Sequence, residues 1–282
     1  MHSLKRLPIN QVNRCVSSLT APHQGVDDMF DQNTNNEPPT FIKAASKLKN
    51  AIAYESIGKY ESALMSLEEA LAIQPSYIDA WIIKGVIYGK LGKCSQAIKC
   101  YDTIIGIDPN FADAYRLKAA IFTTLNQDEK AVECFAKAVE LDPNNLEYRL
   151  SLAIALQRLK KYEDALKCYE EAKEQRPTDA RIDYYIGLMW GNLADYQKAL
   201  ASFEQALRLK PDFTDALLGK GIMLSRLNRK EEAKECANKL QETKTTSEKQ
   251  QTAKAQSENE SIRNDFKAAQ NKFKTKYSSN SS

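Results

Sequence analysis

Pro75, Pro109, Pro143, Pro177 and Pro211 follow one another at intervals of 34 residues, and no other proline occurs after Pro39. Helix breakers set on a fixed ruler mean that one structural unit is copied along the chain, and a period of 34 is that of a helical hairpin. Ala63, Ala97, Ala131, Ala165, Ala199 and Ala233 keep the same interval. Copies of this kind pack on their neighbours, so a chain of 282 residues need not divide into separate globular domains.

Placing each proline at position 32 of its copy gives units 44–77, 78–111, 112–145, 146–179, 180–213 and 214–247. Within each unit, apolar residues recur at helical spacing twice, with a short break between the two runs. Position 15 holds Gly58, Gly92, Asn126 and Asn228, residues that accept a left-handed backbone just past a helix end. Position 33 holds Ser76, Asn110, Asn144, Thr178 and Asp212, each a good N-cap. Asp79, Asp113, Glu147 and Asp215 stand three residues further on, as in a capping box, and Arg181 breaks the rule. The spacing predicts helix A, a tight turn, helix B and a proline-marked turn.

Several further positions agree across successive units. Position 8 reads Ala51, Gly85, Ala119, Ala153, Gly187 and Gly221, and position 11 reads Tyr54, Tyr88, Phe122, Leu156, Trp190 and Leu224. Position 24 reads Leu67, Tyr101, Phe135, Tyr169, Phe203 and then Ala237. This pattern resembles the tetratricopeptide repeat family over about residues 44–247. The resemblance implies an all-α, right-handed α-solenoid of stacked helix-turn-helix repeats. There are departures. Position 4 matches in Trp81 and Tyr115 but holds Arg149 and Asp183 in the fourth and fifth units, and the sixth unit lacks both the position-24 aromatic and the proline.

The resemblance also implies that helix A lines an inner groove through positions 2, 5, 6, 9, 12 and 13. Positions 5 and 9 read Leu48 and Ile52, Ile82 and Val86, Arg116 and Ala120, Leu150 and Ile154, Tyr184 and Leu188, Leu218 and Ile222. Positions 12 and 13 add Gln157, Arg158, Asn192 and Arg226 to the rim. An apolar strip with a polar rim is how partner surfaces are built, and it fits a protein or peptide supplying an amphipathic helix or an apolar extended segment. The competing expectation is that positions 5 and 9 bury against the adjacent A helix. Some members of the family hold a free chaperone tail with lysine and asparagine at positions 5 and 9; that arrangement does not occur in these units.

Composition excludes several other classes. Forty basic against 37 acidic residues leave a net charge of +3, too balanced for a nucleic-acid footprint. Both histidines, His2 and His23, precede the repeats, which removes the commonest general base and metal ligand from them. No phosphate-cradling glycine loop, GxSxG or HExxH occurs, so neither catalysis nor a cofactor nor a metal is expected. Cys100, Cys134, Cys168 and Cys236 share position 23 with Ser66 and Ser202. A slot filled only by cysteine or serine needs a small side chain on a packed face, and the spacing suits neither zinc nor disulfides. Free thiols imply a reducing, cytoplasmic compartment, and no apolar run reaches membrane-spanning length.

Residues 1–40 carry Pro8, Pro22, Pro38 and Pro39 and a polar run at 31–36, the composition of a disordered leader. Residues 248–282 read as a polar linker and then a C-terminal capping or amphipathic helix. Ile262, Phe266, Ala269, Phe273 and Tyr277 fall on one helical face, with Lys267, Lys272, Lys274 and Lys276 among them. The leading expectation is a non-catalytic interaction scaffold of open oligomeric state. The alternative is a membrane-peripheral assembly or co-chaperone-like factor that lays this basic, aromatic helix on an anionic surface.

Overall fold

The computed structural model describes residues 40–242, together with Gln256 and Glu260, both helical. The expected leader and the Ile262–Tyr277 face lie outside the described residues. Twelve α-helices and no strand occur among the described residues. They are α1 (Thr40–Ser56), α2 (Tyr60–Ile73), α3 (Ile78–Lys90), α4 (Cys94–Ile107), α5 (Ala112–Thr124), α6 (Asp128–Leu141), α7 (Leu146–Arg158), α8 (Tyr162–Gln175), α9 (Ala180–Asn192), α10 (Tyr196–Leu209), α11 (Thr214–Arg226) and α12 (230–242). Odd-numbered helices are the A helices and even-numbered ones the B helices. The fold class is therefore all-α, built as a solenoid of helix-turn-helix repeats.

One device closes every A helix. Gly58 N donates to Glu55 O and Lys59 N to Tyr54 O, and the same pair of bonds recurs at Gly92/Lys93, Asn126/Gln127, Lys160/Lys161, Ala194/Asp195 and Asn228/Arg229. This is the Schellman arrangement, which requires a left-handed residue at its centre. All six position-15 residues adopt it, with φ between 56° and 73°. Lys160 and Ala194 do so without glycine's or asparagine's tolerance, at a cost of roughly 1–2 kcal/mol each.

The proline turns correct the expected caps. Tyr77 N donates to Gln74 O, Phe111 N to Asp108 O, Asn145 N to Asp142 O, Asp179 N to Arg176 O and Phe213 N to Lys210 O. These bonds close β-turns over positions 31–34 with proline second, where its fixed φ is favoured. Ser76, Asn110, Asn144, Thr178 and Asp212 thus occupy the third position of a turn rather than N-caps. The residue before each A helix is position 34 instead. There Asp179 Oδ1 accepts from Arg181 N, and Asn145 Oδ1 accepts from Glu147 N, whereas Tyr77, Phe111 and Phe213 make no side-chain cap.

The chain divides into two compact units, Met1–Tyr148 and Arg149–Ser282. In the first, the position-20 residues Ala63, Ala97 and Ala131 are wholly buried, which lets helix B approach its own helix A. Leu67, Tyr101 and Phe135 fill the space beside them, and Trp81 and Tyr115 donate to the carbonyls of Pro75 and Pro109. Lys84–Glu68 and Lys118–Asp102 join position 7 of one repeat to position 25 of the repeat before. In the second unit, Ala165 and Ala199 play the same part beside Tyr169 and Phe203, and Lys220–Glu204 repeats the position-7 to position-25 pair. Arg149 and Asp183 are buried at position 4, where the second and third repeats carry Trp81 and Tyr115, and pair with Glu171 and Lys173 of α8 at 3.1 and 2.6 Å.

Candidate functional site

The A-helix face differs between the two units. In the first, Leu48, Ile82, Val86 and Arg116 are buried and Ile52 is half-buried. Ile82 and Val86 belong to a core cluster with Ala97, Tyr101, Ala114 and Leu117, screened further by Trp81, Tyr88 and Ile121. Leu48 packs with Ala51, Ala63 and Leu67. These side chains hold the hairpins together and offer a partner little area.

The polar groups on this face are also engaged. Lys90 Nζ donates to Glu55 Oε1, joining position 13 of one A helix to position 12 of the one before. Arg116 donates to Asp113 Oδ1 at 2.8 Å and lies 3.8 Å from Glu147 Oε1. Asp113 also accepts from the Tyr148 hydroxyl, whose pKa is raised chiefly by burial. Arg116 is accordingly a structural cation with its charge already answered.

The second unit keeps its apolar positions open. Leu150 and Ile154 on α7 and Tyr184 and Leu188 on α9 are half-buried, while Leu218 and Ile222 on α11 are 51% and 47% exposed. Tyr184 stands with its ring 5.9 Å from Phe203 and 5.1 Å from Phe213. Those rings hold its orientation, and Leu188 packs against the same cluster. Burial, and then the Asp215 carboxylate, raise the Tyr184 pKa, so the phenol keeps its proton and remains a donor. Arg158, Asn192 and Arg226 are exposed at position 13, and Gln157 is half-buried at position 12.

Five cysteines among the described residues, Cys94, Cys100, Cys134, Cys168 and Cys236, carry free thiols. Burial pushes Cys100 and Cys168 up to about 11, which removes them as nucleophiles at neutral pH. Among the described residues no three side chains of the metal-binding types converge, and no helix is long and apolar enough to cross a membrane. The basic C-terminal face falls outside the described residues.

Paired helices, repeated turn chemistry and an A-helix face with open apolar positions define a helical-repeat scaffold. The chain belongs to the tetratricopeptide repeat family: one profile described as Tetratricopeptide repeat matches residues 58–121, 129–184 and 193–257, and a second matches 112–145. Repeats of this family scaffold protein–protein interactions, and at that coarse level so does this chain. Similar solved structures include MamA, at 17% identity and a TM-score of 0.55 over 60% of this chain and 93% of that one. A MamA fragment running from residue 41 to the end, from Desulfovibrio magneticus RS-1, reaches 21% and 0.56 over 60% and 96%. YrrB, a tetratricopeptide-repeat protein with an unusual peptide-binding site, reaches 24% and 0.53 over 62% and 90%. At these identities the likeness speaks for the fold alone. No curated protein sequence matches the chain.

Proposed function

We propose that this protein is a non-catalytic scaffold that holds an apolar or amphipathic-helical segment of a partner protein on the A-helix face of its second unit. The observation that carries this reading is the contrast at positions 5 and 9. Of the six equivalent residues in the first unit, Leu48, Ile82, Val86 and Arg116 are buried and Ile52 and Ala120 half-buried, yet Leu150, Ile154, Tyr184, Leu188, Leu218 and Ile222 all keep accessible area on three successive A helices. The exposed rim at position 13 carries Arg158 and Arg226 and no acid, so it suits a partner with acidic residues beside its apolar ones. The peptide-binding site of YrrB, on the same fold, is consistent with this use. The working array is the six repeats over 44–247, flanked by the leader 1–40 and the segment 248–282, in a reducing, cytoplasmic compartment.

The test begins with a photo-crosslinking residue at Ile154 and mass spectrometry of what attaches in cell extract. The captured segment is then titrated against Ile154→Gln/Tyr184→Gln/Leu188→Gln by calorimetry. On the order of 1 kcal/mol for each half-exposed apolar side chain predicts about 100-fold weaker binding, with circular dichroism unchanged. Retained affinity would move the site elsewhere.

A further inference from the structure

Besides lacking the proline, the last described hairpin departs from the others at position 24. In α3 and α9 the position-8 glycine is covered by the position-24 ring of its own repeat. A Cβ built on Gly85 would lie 2.6 Å from Tyr101 Cε1, and one on Gly187 would lie 2.8 Å from Phe203 Cε1. Gly221 is their counterpart in α11. Position 24 there is Ala237, which is exposed, and the nearest neighbour of a Gly221 Cβ is Cys236 Cβ at 3.4 Å. An open apolar groove of about 580 Å³ therefore runs between α11 and α12, walled by Leu217, Leu218, Ile222, Cys236 and Leu240. Its chemistry calls for an aromatic side chain that this repeat does not itself supply.

We propose that the groove takes the chain's own C-terminal segment, residues 257–277, docked as a helix with Phe266 and Phe273 beside Gly221 and Ala237. Gln256, just before the segment, and Glu260, within it and one helical turn on, are helical. Beyond them Ile262, Phe266, Ala269, Phe273 and Tyr277 keep the four- and three-residue steps of a single apolar face. From 262 to 277 such a helix is about 24 Å long, against about 20 Å for the 13 residues of α11. The 13 residues between Glu242 and Gln256 reach about 45 Å when extended, so the segment can return to any point of the groove. Lys267, Lys272, Lys274 and Lys276 stand among these apolar residues, and α12 exposes acids and lysines alike (Glu231, Glu232, Glu235 and Glu242 with Lys230, Lys234 and Lys239), so apolar fit rather than charge selects the occupant. Tethering makes the encounter intramolecular, which favours this occupant over a free peptide. Leu218 and Ile222 would be covered, so the segment withholds the α11 end of the partner face, a consequence that alone rests on the functional reading above.

Hydrogen–deuterium exchange with mass spectrometry on the full chain tests the docking without any partner. Amides of 257–277 are expected to exchange at least about 10-fold more slowly than in Phe266→Ser/Phe273→Ser. Ala237→Phe, which fills the groove from within, should release them equally while helicity is kept. A photo-crosslinking residue at position 266 should attach to peptides within 214–242. Unprotected amides in the unaltered chain overturn the proposal, as does protection indifferent to Ala237→Phe in a folded variant. So does protection lost on dilution, which would mean a second copy, or gained only with anionic vesicles. If Ala237→Phe fails to fold, the serine pair and the crosslink still decide.

Discussion

Ala194 and Gly58 do the same work at φ 62° and 73°, yet only one of them has a Cβ to crowd. A left-handed backbone costs a residue such as alanine roughly 1–2 kcal/mol, and glycine's looser unfolded chain takes back about 0.4–1 kcal/mol. Ala194→Gly should thus stabilise by up to about 1 kcal/mol, raising Tm by about 1–3 °C, and Gly58→Ala should lower it. Calorimetric scans of the two variants check the pair. At this scale the glycine and asparagine turns were readable because their residue types advertise the conformation. Lys160 and Ala194 carry no such signal; the repeated turn imposes the geometry on them. The caps misled for a related reason: position 33 is rich in cap-forming residues, but the turn bond from position 34 to position 31 claims that stretch of backbone first.

Between elements, the position-24 ring decides how closely an A helix and a B helix can lie. Phe203, 1% exposed, meets Gly187 of α9 on one side and Gly219 of α11 on the other. A methyl at Gly187 has no room, so Gly187→Ala should destabilise by ~1–3 kcal/mol although alanine is the better helix former. Phe203→Leu in the same background should recover part of that loss. Gly106 of α4 has nothing within 4 Å of its added Cβ, and Gly106→Ala should stabilise by roughly 0.5–1 kcal/mol. Urea titrations of the three variants separate these signs. The helix pairs and their register were legible because several positions agree in every unit. The state of positions 5 and 9 was not, since Leu48 and Leu150 are the same residue type at position 5, yet one is buried and the other half-buried.

For the molecule as a whole, the buried thiols set an alkaline limit. Burial, the largest cause at both sites, lifts Cys100 and Cys168 from the usual 9.0 to about 11, Lys84 opposing at the first and Glu171 adding at the second. A raised folded pKa means stability that is complete below the unfolded value and is lost as pH climbs toward the folded one. Denaturant midpoints should therefore fall between pH 9 and 11. In Cys100→Ser/Cys168→Ser the early part of that fall should shrink, before the tyrosines of the unfolded chain ionise. Serine already stands at the same position in Ser66 and Ser202, so the exchange is sterically compatible. An unchanged alkaline profile would show that the thiols are better solvated than their burial indicates.

The seams between hairpins carry a consequence for how such a chain can change. Lys84–Glu68, Lys118–Asp102 and Lys220–Glu204 are the same coupling used three times, so a module bearing its lysine and its acid fits behind any other that does. The α8–α9 seam instead depends on Lys173 meeting the buried carboxylate of Asp183. A duplicated or deleted hairpin would be accepted at the standard couplings and refused at that bespoke one, where a substitute module would leave a charge stranded in the interior.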